Sequence, residues 1–283
     1  MNYGTCADPE IAIEVAQHAE AAGLESIWSG EHVVLPDPQP AGFSMPPTLP
    51  FLDTTVALTL VATHTTTLRV ASGVIILPLR NPVVLAKELA SIDVVSNGRL
   101  IVGLGAGYVL AEFAAAGVAL AERRSRMDDY IRAMRALWTM DRPRHRGPHV
   151  CFEGIDAHPR PVRPQGPPLV IGGHAGPALV RAVTMAEGWY GFDLDPAETE
   201  QLLADLQRVT SDHERPPELG SLEITVTPRG PVDRAVIERY DALGVDRLVV
   251  LPSPDATRDQ RHRPVPRERI LRNIDTIASE ARS

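Results

Sequence analysis

The chain has 283 residues, of which 44% are hydrophobic, so it can bury a core of the size found in one α/β barrel of roughly 250 residues. Its formal net charge of −8 at pH 7 argues against nucleic acid as a partner, because nucleic acids are polyanions. The sequence has no apolar run near the roughly 20 residues of a membrane span, and two cysteines (Cys6 and Cys151) are too few for a disulfide framework. Its first residues have neither the basic nor the apolar region expected of a secretion signal. We therefore expect one cytoplasmic domain over residues 1–283 that acts on a small molecule, with neither nucleic acid nor membrane as a partner.

The N-terminal part of the sequence alternates strand and helix signals. Met1 to Cys6 is predicted to be a short first strand. A helix is predicted from Asp8 to Ala22, because Asp8 followed by proline is a good N-cap and apolar residues recur at helical spacing. Gly23 ends this helix, and Leu24 to Ser29 is the second predicted strand. The alternation is typical of repeated strand–helix units.

Glu31 and His32 stand at the carboxyl end of the second predicted strand. In barrel enzymes the catalytic residues lie at this end of the strands. An imidazole exchanges a proton near neutral pH, and an adjacent carboxylate can orient it. We therefore predict that His32 is a general acid/base and that Glu31 is its partner or a structural tether; the alternative is a histidine that only closes the rim of the barrel. The proline-rich residues from Val33 to Phe51 are predicted to form an active-site loop.

The central part of the sequence predicts a strand–helix–strand unit. After a helix from Leu52 to Thr63, two continuous apolar runs, Leu68 to Leu77 and Leu100 to Leu104, flank a segment of helical period from Pro82 to Val95. Strands without polar alternation are buried on both faces, as in a parallel sheet. Ligands in such folds bind at the carboxyl edge of the sheet.

Glycines mark two places in these strands. Ser72 and Gly73 lie inside the first apolar run, where a glycine indicates a bulge, a close backbone approach or simple packing. Gly103, Gly105 and Gly107 do not have the G-x-G-x-x-G spacing of a dinucleotide-binding loop. We interpret these glycines as a surface for a planar ring, with Tyr108 and Val109 at its rim and Tyr108 packing rather than donating a proton.

The second half of the sequence continues the pattern toward about eight strand–helix units. Residues 142–168 are rich in proline and arginine, contain short β-like pieces around His149 to Phe152, and are predicted to form an insertion before the fifth strand. The other predicted helices are Ala111–Ala115, Ala121–Trp138, Pro177–Ala186, Pro196–Val209, Val232–Leu243 and Arg267–Ala281, and the other predicted strands are Leu169–Ile171, Glu187–Phe192, Leu222–Thr227 and Arg247–Leu251.

A glycine-rich junction follows the strand that begins at Leu169. Its residues are Gly172, Gly173, His174, Ala175 and Gly176, with Pro177 at the first helical position. Free backbone N–H groups and the helix dipole would meet there, which favours an anion such as a phosphate. An ordinary turn between strand and helix is the alternative.

Two further groups of polar residues are weaker candidates. His145, His149, Cys151 and His158 match no paired-ligand spacing, so we predict no metal site. Arg123, Arg124 and Arg126 near a helix start can assist an anionic cofactor tail, although a run of charges is more often a solvated face.

Four segments in order carry a family resemblance: WSGEHVVLP, ASGVIILPLRNPVVLAKELASIDVVSNGRLIVGLGAG, RMDDYIRAMRALW and PLVIGGHAGPALVRA. Together they resemble the luciferase-like monooxygenase family, and particularly its deazaflavin-dependent branch. The resemblance implies a single (β/α)8 TIM barrel, a homodimer, and either coenzyme F420 or FMN as cofactor. It also implies a non-proline cis peptide between Ser72 and Gly73, a phosphate at the glycine-rich junction, and an acidic residue–histidine pair near the reactive ring.

The resulting hypothesis is an oxidoreductase that transfers a hydride between F420 and a small organic substrate. The predicted cofactor contacts are made by Ser72, Gly73, Gly103, Gly105, Gly107, Tyr108, Gly172, Gly173, His174, Ala175 and Gly176. One alternative is an FMN-dependent monooxygenase that uses O2. A second alternative is a flavin-binding protein without activity.

Overall fold

A curled sheet of parallel strands, covered on its outer side by helices, forms the body of the protein. The computed structural model describes residues 1–251 and 264–282. The strands are β1 (Ser26–Ser29), β2 (Arg69–Ser72), β3 (Ile75–Ile76), β4 (Leu100–Gly105), β5 (His145–Arg146), β6 (Cys151–Phe152), β7 (Leu169–Gly172), β8 (Gly188–Leu194), β9 (Glu223–Pro228) and β10 (Arg247–Leu248). The helices are α1 (Pro9–Ala21), α2 (Thr54–His64), α3 (Pro82–Val95), α4 (Leu110–Ala115), α5 (Arg123–Thr139), α6 (Gly176–Met185), α7 (Pro196–Asp212), α8 (Arg234–Ala242) and α9 (Arg267–Arg282).

The strand order is β1-β2-β4-β7-β8-β9-β10, and β3 continues the path of β2 beside β4. Neighbouring strands in this sheet are parallel, and every residue of β4 is buried. Burial on both faces explains the continuous apolar runs in the sequence. The predicted α/β barrel of the TIM type is confirmed.

Several helix starts follow directly from local side chains. Asp8, Asp53 and Asn81 each accept two backbone N–H groups at the start of α1, α2 and α3, and a proline follows in α1 and α3. An N-cap side chain satisfies N–H groups that have no partner within the helix, so these signals act locally. The predicted helices at these places are confirmed. None of the described helices is long and apolar enough to cross a membrane.

The predicted first strand, Met1 to Cys6, was wrong. Tyr3 makes one antiparallel bridge with Phe51, and Gly4–Ala7 is a short 3-10 helix. The polar groups of this segment bind loops rather than a strand ladder: Gly4 N donates to Pro50 O at 2.9 Å, and the amino group of Met1 donates to Trp28 O at 2.9 Å. The second strand predicted from the sequence is therefore β1 of the structure.

Side chains connect the two ends of the sheet path. The Arg247 guanidinium lies 2.7 Å from Glu25, which directly precedes β1, and it also binds Glu223 on β9. Its carbon Cζ lies 6.0 Å from the centroid of the Trp28 ring inside the barrel. This arginine therefore joins the first and last strands of the sheet through ion pairs.

The strand predicted from Leu68 to Leu77 is interrupted at Gly73 and Val74. The prediction of a cis peptide between Ser72 and Gly73 was wrong by one residue, because the non-proline cis bond joins Gly73 and Val74. Ser72 is still paired with Ser29 in the strand register, and its hydroxyl bonds both Gly103 N and Gly103 O at 2.8 Å. Regular strand geometry thus extends through Ser72, and the irregular bond follows it.

Val74 projects into a space that three glycines leave open. A Cβ atom would lie 2.5 Å from Val74 Cγ2 at Gly105 and 2.8 Å from Val74 Cγ1 at Gly172. At Gly103 a Cβ atom would lie 1.9 Å from Ser72 O. These glycines therefore permit the close approach of the segment between β2 and β3 to β4 and β7.

We expect Gly103→Ala to destabilise the fold by about 1 to 3 kcal/mol or more, because the added methyl group overlaps backbone rather than a flexible side chain. The free energy of unfolding in urea measures this effect without any cofactor. Gly176→Ala is the matched control, since nothing lies within 4 Å of a Cβ atom there. Equal stability of the two variants would contradict this packing role.

The insertion at 142–168 contains the antiparallel pair β5–β6 and is anchored to α5 by one buried carboxylate. Asp129 accepts from His149 N at 2.9 Å and Val150 N at 3.1 Å, and it lies 2.6 Å from His145 Nε2. The β-like pieces expected near His149 to Phe152 correspond to this hairpin.

Candidate active site

A cavity of about 1250 Å³ reaches the carboxyl ends of β1, β4 and β7. The residues predicted for the site that line it are Glu31, His32, Gly73, Gly105, Gly107, Tyr108, Gly172, Gly173, His174 and Ala175. The tertiary structure therefore brings together residues from four separate stretches of the sequence.

His32 lies at this cavity among aromatic rings and beside one carboxylate. The side chain is 10% exposed, and its Nδ1 atom lies 3.2 Å from Glu112 Oε2. The other oxygen of Glu112 accepts the backbone N–H of Val33 at 2.8 Å, and the Glu112 side chain is fully buried. The carboxylate that orients His32 thus belongs to Glu112, which the sequence analysis did not identify.

Glu31 binds Arg80 rather than His32, the partner expected from the sequence. Its carboxylate binds the Arg80 guanidinium and accepts the N–H of Ile76 at 2.5 Å, and Arg80 also lies 2.6 Å from Asp53. The pairing of Glu31 with His32 is therefore corrected, and the structural tether is the role that these contacts match. Because Ile76 lies on β3, Glu31 fixes the segment that follows the cis peptide bond.

The glycine-rich junction has the geometry of an anion cradle. β7 ends at Gly172, Gly173 has a φ of +128°, and α6 begins at Gly176 with no side-chain cap on its first turn. The N-terminus of a helix attracts anions through its N–H groups and its dipole. A phosphate bound here would therefore have backbone donors available.

His174 in this junction is oriented by the neighbouring strand. Its Nε2 atom accepts the N–H of Phe192 at 3.2 Å, so this nitrogen carries a lone pair. Burial lowers the pKa of His174, which agrees with a neutral ring. His174 therefore adds no full positive charge to the cradle.

Arginines lie at the same end of the cavity as the cradle. Arg123, Arg124 and Arg181 line it. Arg181 is buried, lies 2.5 Å from Asp128, and donates to Arg124 O at 3.0 Å, so it connects α6 to the start of α5. Arg126 instead binds Glu122 and Tyr130.

Ser72 and Gly103 lie behind the wall of the cavity rather than on it. Both are absent from its described lining, and Ser72 is completely buried by its bonds to Gly103. The lining of the cavity therefore gives no support to the expected cofactor contacts of these two residues, which stay a prediction. Gly105 and Gly107 do line the cavity, but their missing side chains make room for Val74 and Ile76.

Gly73 and Tyr108 occupy different parts of the cavity. A Cβ atom on Gly73 would lie 3.0 Å from Trp28 and 3.4 Å from Tyr190 inside the barrel. Tyr108 lies at the mouth, 6.3 Å from the His32 ring in an edge-on arrangement. Gly176 is not among the described residues that line the cavity, although it begins the helix of the cradle.

The three histidines of the insertion are held by separate contacts, and Cys151 is exposed. His145 binds Asp129, His149 lies 2.8 Å from Ser125, and His158 lies 3.0 Å from Asp156. In the described part of the chain, no three His, Cys, Asp or Glu side chains group as a metal ion would require.

The sequence comparisons place these features in a protein family. The model of the luciferase-like monooxygenase family matches residues 2–242. An uncharacterised protein of Mycobacterium tuberculosis is 30% identical over 254 residues, which cover 86% of this chain and 87% of that protein. The F420-dependent glucose-6-phosphate dehydrogenase of Amycolatopsis mediterranei is 32% identical over 171 residues, which cover 58% of this chain and 48% of that protein. The oxygenase component of the flavin-dependent trigonelline monooxygenase of Acinetobacter baylyi is 30% identical over 161 residues, which cover 56% of this chain and 41% of that protein.

Solved structures share the fold at lower sequence identity. Monooxygenase RslO1 from Streptomyces bottropensis superposes with a TM-score of 0.75 at 18% identity, covering 96% of this chain and 92% of that one. The coenzyme F420-dependent tetrahydromethanopterin reductase of Methanopyrus kandleri superposes with a TM-score of 0.74 at 15% identity, covering 96% and 94%. At these identities, the two structures support the fold alone.

Proposed function

The chain belongs to the luciferase-like monooxygenase family, and we propose that it is an oxidoreductase that transfers a hydride between coenzyme F420 and a small organic substrate. The observation that carries this proposal is one cavity lined both by the anion cradle before α6 and by His32, whose ring is bound from behind by the buried carboxylate of Glu112. The cradle suits a phosphorylated cofactor, and the pair suits proton exchange with a substrate.

The residues present fit such a cofactor. Gly172 and Gly173 leave the cradle without side chains, and a Cβ atom on Gly172 would overlap Val74. Gly173 N already donates to Tyr190 O at 3.3 Å, so we infer that His174 and Ala175 supply the N–H donors for the phosphate and that Gly173 leaves room for it. Gly105 and Val74 form part of the surface for the ring. When bound, F420 supplies a carbon atom that donates or accepts a hydride and reacts poorly with oxygen.

His32 is the group that exchanges a proton with the substrate in this proposal. With Glu112 at Nδ1, the other ring nitrogen is left to give or take the proton. Glu112 positions the ring and also binds Val33 N, so it couples His32 to the start of the 33–51 loop. Glu31 contributes as a tether through Arg80 and Ile76.

Arg123 and Arg124 favour F420 over FMN. The side chain of FMN ends at its phosphate, whereas that of F420 continues beyond the phosphate into an anionic lactyl-glutamate tail. Neither arginine has an ion pair with a carboxylate in the described residues, and both line the cavity near α6. Positive charge near the cradle therefore supports a cofactor with an anionic extension.

Titration of the purified protein with F420 and with FMN tests the proposed function. We expect F420 to bind more tightly, as measured by the change in cofactor fluorescence. Tight FMN binding with oxygen consumption, and no F420 binding, would instead establish the monooxygenase alternative, which the flavin-dependent relative keeps open.

The double variant Arg123→Ala/Arg124→Ala should weaken F420 binding by about 2- to 30-fold, since exposed ion pairs contribute about 0.2 to 1 kcal/mol each. FMN, which lacks the anionic tail, should lose little affinity in the same titration. Arg126→Ala is the matched control, because its guanidinium is already bound to Glu122 and Tyr130. An equal loss for both cofactors would show that the two arginines contact the phosphate rather than a tail.

A further inference from the structure

The mouth of the cavity around His32 is apolar. The centroids of the Phe51, Phe43 and Tyr108 rings lie 5.8, 6.2 and 6.3 Å from that of His32, and each ring is nearly perpendicular to it. Buried Met45 and half-buried Phe51 also line the cavity. A ligand that reaches His32 therefore meets hydrocarbon on several sides.

Large apolar side chains are also exposed beside His32. Val33 is 50% exposed, Val34 42%, and Leu110 66%. Glu112 binds both His32 and the N–H of Val33, so α4, which contains Leu110, lies against the start of the 33–51 loop. None of these three residues lines the described cavity itself, so they extend the apolar surface outward from its mouth. Exposed apolar groups that cluster in this way commonly mark a binding surface.

The charges near His32 disfavour an anionic substrate. Three of the arginines that line the described cavity, Arg123, Arg124 and Arg181, lie at the cradle end, and the fourth, Arg247, is held by Glu25 and Glu223. Arg80 is bound by two carboxylates. The carboxylate of Glu112 already lies beside His32 and accepts Val33 N, so an anionic substrate would bring a second negative charge to the same ring without a further cation among the described residues to bind it.

We propose that the substrate is an uncharged, mainly apolar molecule whose single carbonyl or hydroxyl group reaches His32, and not a sugar phosphate or a carboxylic acid. The inference rests on the proposed function, because it assigns the space beside His32 to the substrate and the cradle to the cofactor. Val33, Val34, Tyr108 and Leu110 then supply the apolar surface that the substrate covers.

The test compares three probes on the full-length protein with F420 bound. Acetophenone and 4-acetylbenzoate have the same aromatic ketone and differ by one carboxylate, and glucose 6-phosphate represents a polar anion. Binding is measured by calorimetry, so no turnover is needed. Acetophenone should bind at least about tenfold more tightly than either anion, because like charges and unpaired polar groups penalise the anions.

Two surface variants test whether the probes bind beside Val34. Val34→Arg adds a cation at the mouth and should reduce the preference for acetophenone over 4-acetylbenzoate at least about threefold. Val84→Arg makes the same change at a residue that is 54% exposed on α3, an element separate from the 33–51 loop and from α4, so it should leave the preference unchanged. Equal effects of the two variants would place the probe elsewhere and overturn the assignment of this surface.

The two proposals fail separately. The proposed substrate class is overturned if F420 binds normally but an anionic probe binds as tightly as acetophenone or more tightly. It is also overturned if F420 binds normally and acetophenone does not bind. In both cases the cofactor assignment stays intact. Binding of FMN instead of F420 would overturn the cofactor assignment, and the preference among the probes could then be measured with FMN bound.

Discussion

His32→Ala should lower the turnover of the enzyme by about 10²- to 10⁴-fold, which is the usual contribution of a positioned general acid or base. F420 affinity should change little, because the cradle at the start of α6 is formed by other residues. Turnover is followed by the change in F420 absorbance with an uncharged ketone or alcohol, and affinity is followed by titration. A loss that falls mainly in affinity would mean that His32 binds the cofactor rather than exchanging a proton.

Two carboxylate variants separate the roles of the neighbours of His32. Glu112→Gln preserves the shape of the side chain but removes its charge, so turnover should fall by less than in His32→Ala, with unchanged F420 affinity. Glu31→Gln weakens the bond to Arg80, so it should lower the free energy of unfolding before it affects turnover. If Glu31→Gln preserved stability and lost as much turnover as His32→Ala, Glu31 would be a catalytic residue after all.

Gly173→Asp should weaken F420 binding by more than about 100-fold, because a carboxylate in the cradle would repel the phosphate at close range, and such like-charge contacts cost several kcal/mol. The residue has a φ of +128°, so any side chain there is also strained. Fluorescence titration gives the affinity, and thermal unfolding without cofactor gives the loss of stability that strain alone causes.

Gly173→Asn is the matched control for the charge. It has nearly the same shape as aspartate and suffers the same backbone strain, so the difference in affinity between the two variants reports electrostatic repulsion. We expect the aspartate variant to bind F420 at least about tenfold more weakly than the asparagine variant. Equal affinities would place the phosphate away from α6.

The sequence alone predicted most helices and strands because their signals are local. A capping side chain such as Asp8 or Asn81 acts on N–H groups two or three residues away, and continuous apolar runs such as Leu100–Leu104 can form buried parallel strands without any other information. The prediction of a first strand from Met1 to Cys6 was wrong because the contacts of this segment are not local. The contacts of Met1 and Tyr3 are to Trp28 and Phe51, and no local pattern specifies them.

The residues of the site also fall into those that the sequence indicated and those that only the fold identified. The positions of His32 and Gly173 at the ends of strands could be read from the sequence, because in a parallel sheet those ends meet at one edge. The partner of His32 could not be read, because Glu112 is 80 residues away on a short helix with no charge pattern of its own. Sequence adjacency suggested Glu31 instead, but adjacent residues near the end of a strand point in different directions, and Glu31 meets Arg80.

Glycines show most directly what only the tertiary structure decides. Gly103 and Gly105 were identified from the sequence as residues that leave space, but a glycine does not indicate what fills that space. The fold brings Ser72 and Val74 against them, so the space is used by the protein's own chain. Local conformation was therefore determined by a few neighbouring residues. Which atoms lie in the space beside Gly103 and Gly105 depended instead on how strands that are distant in sequence align.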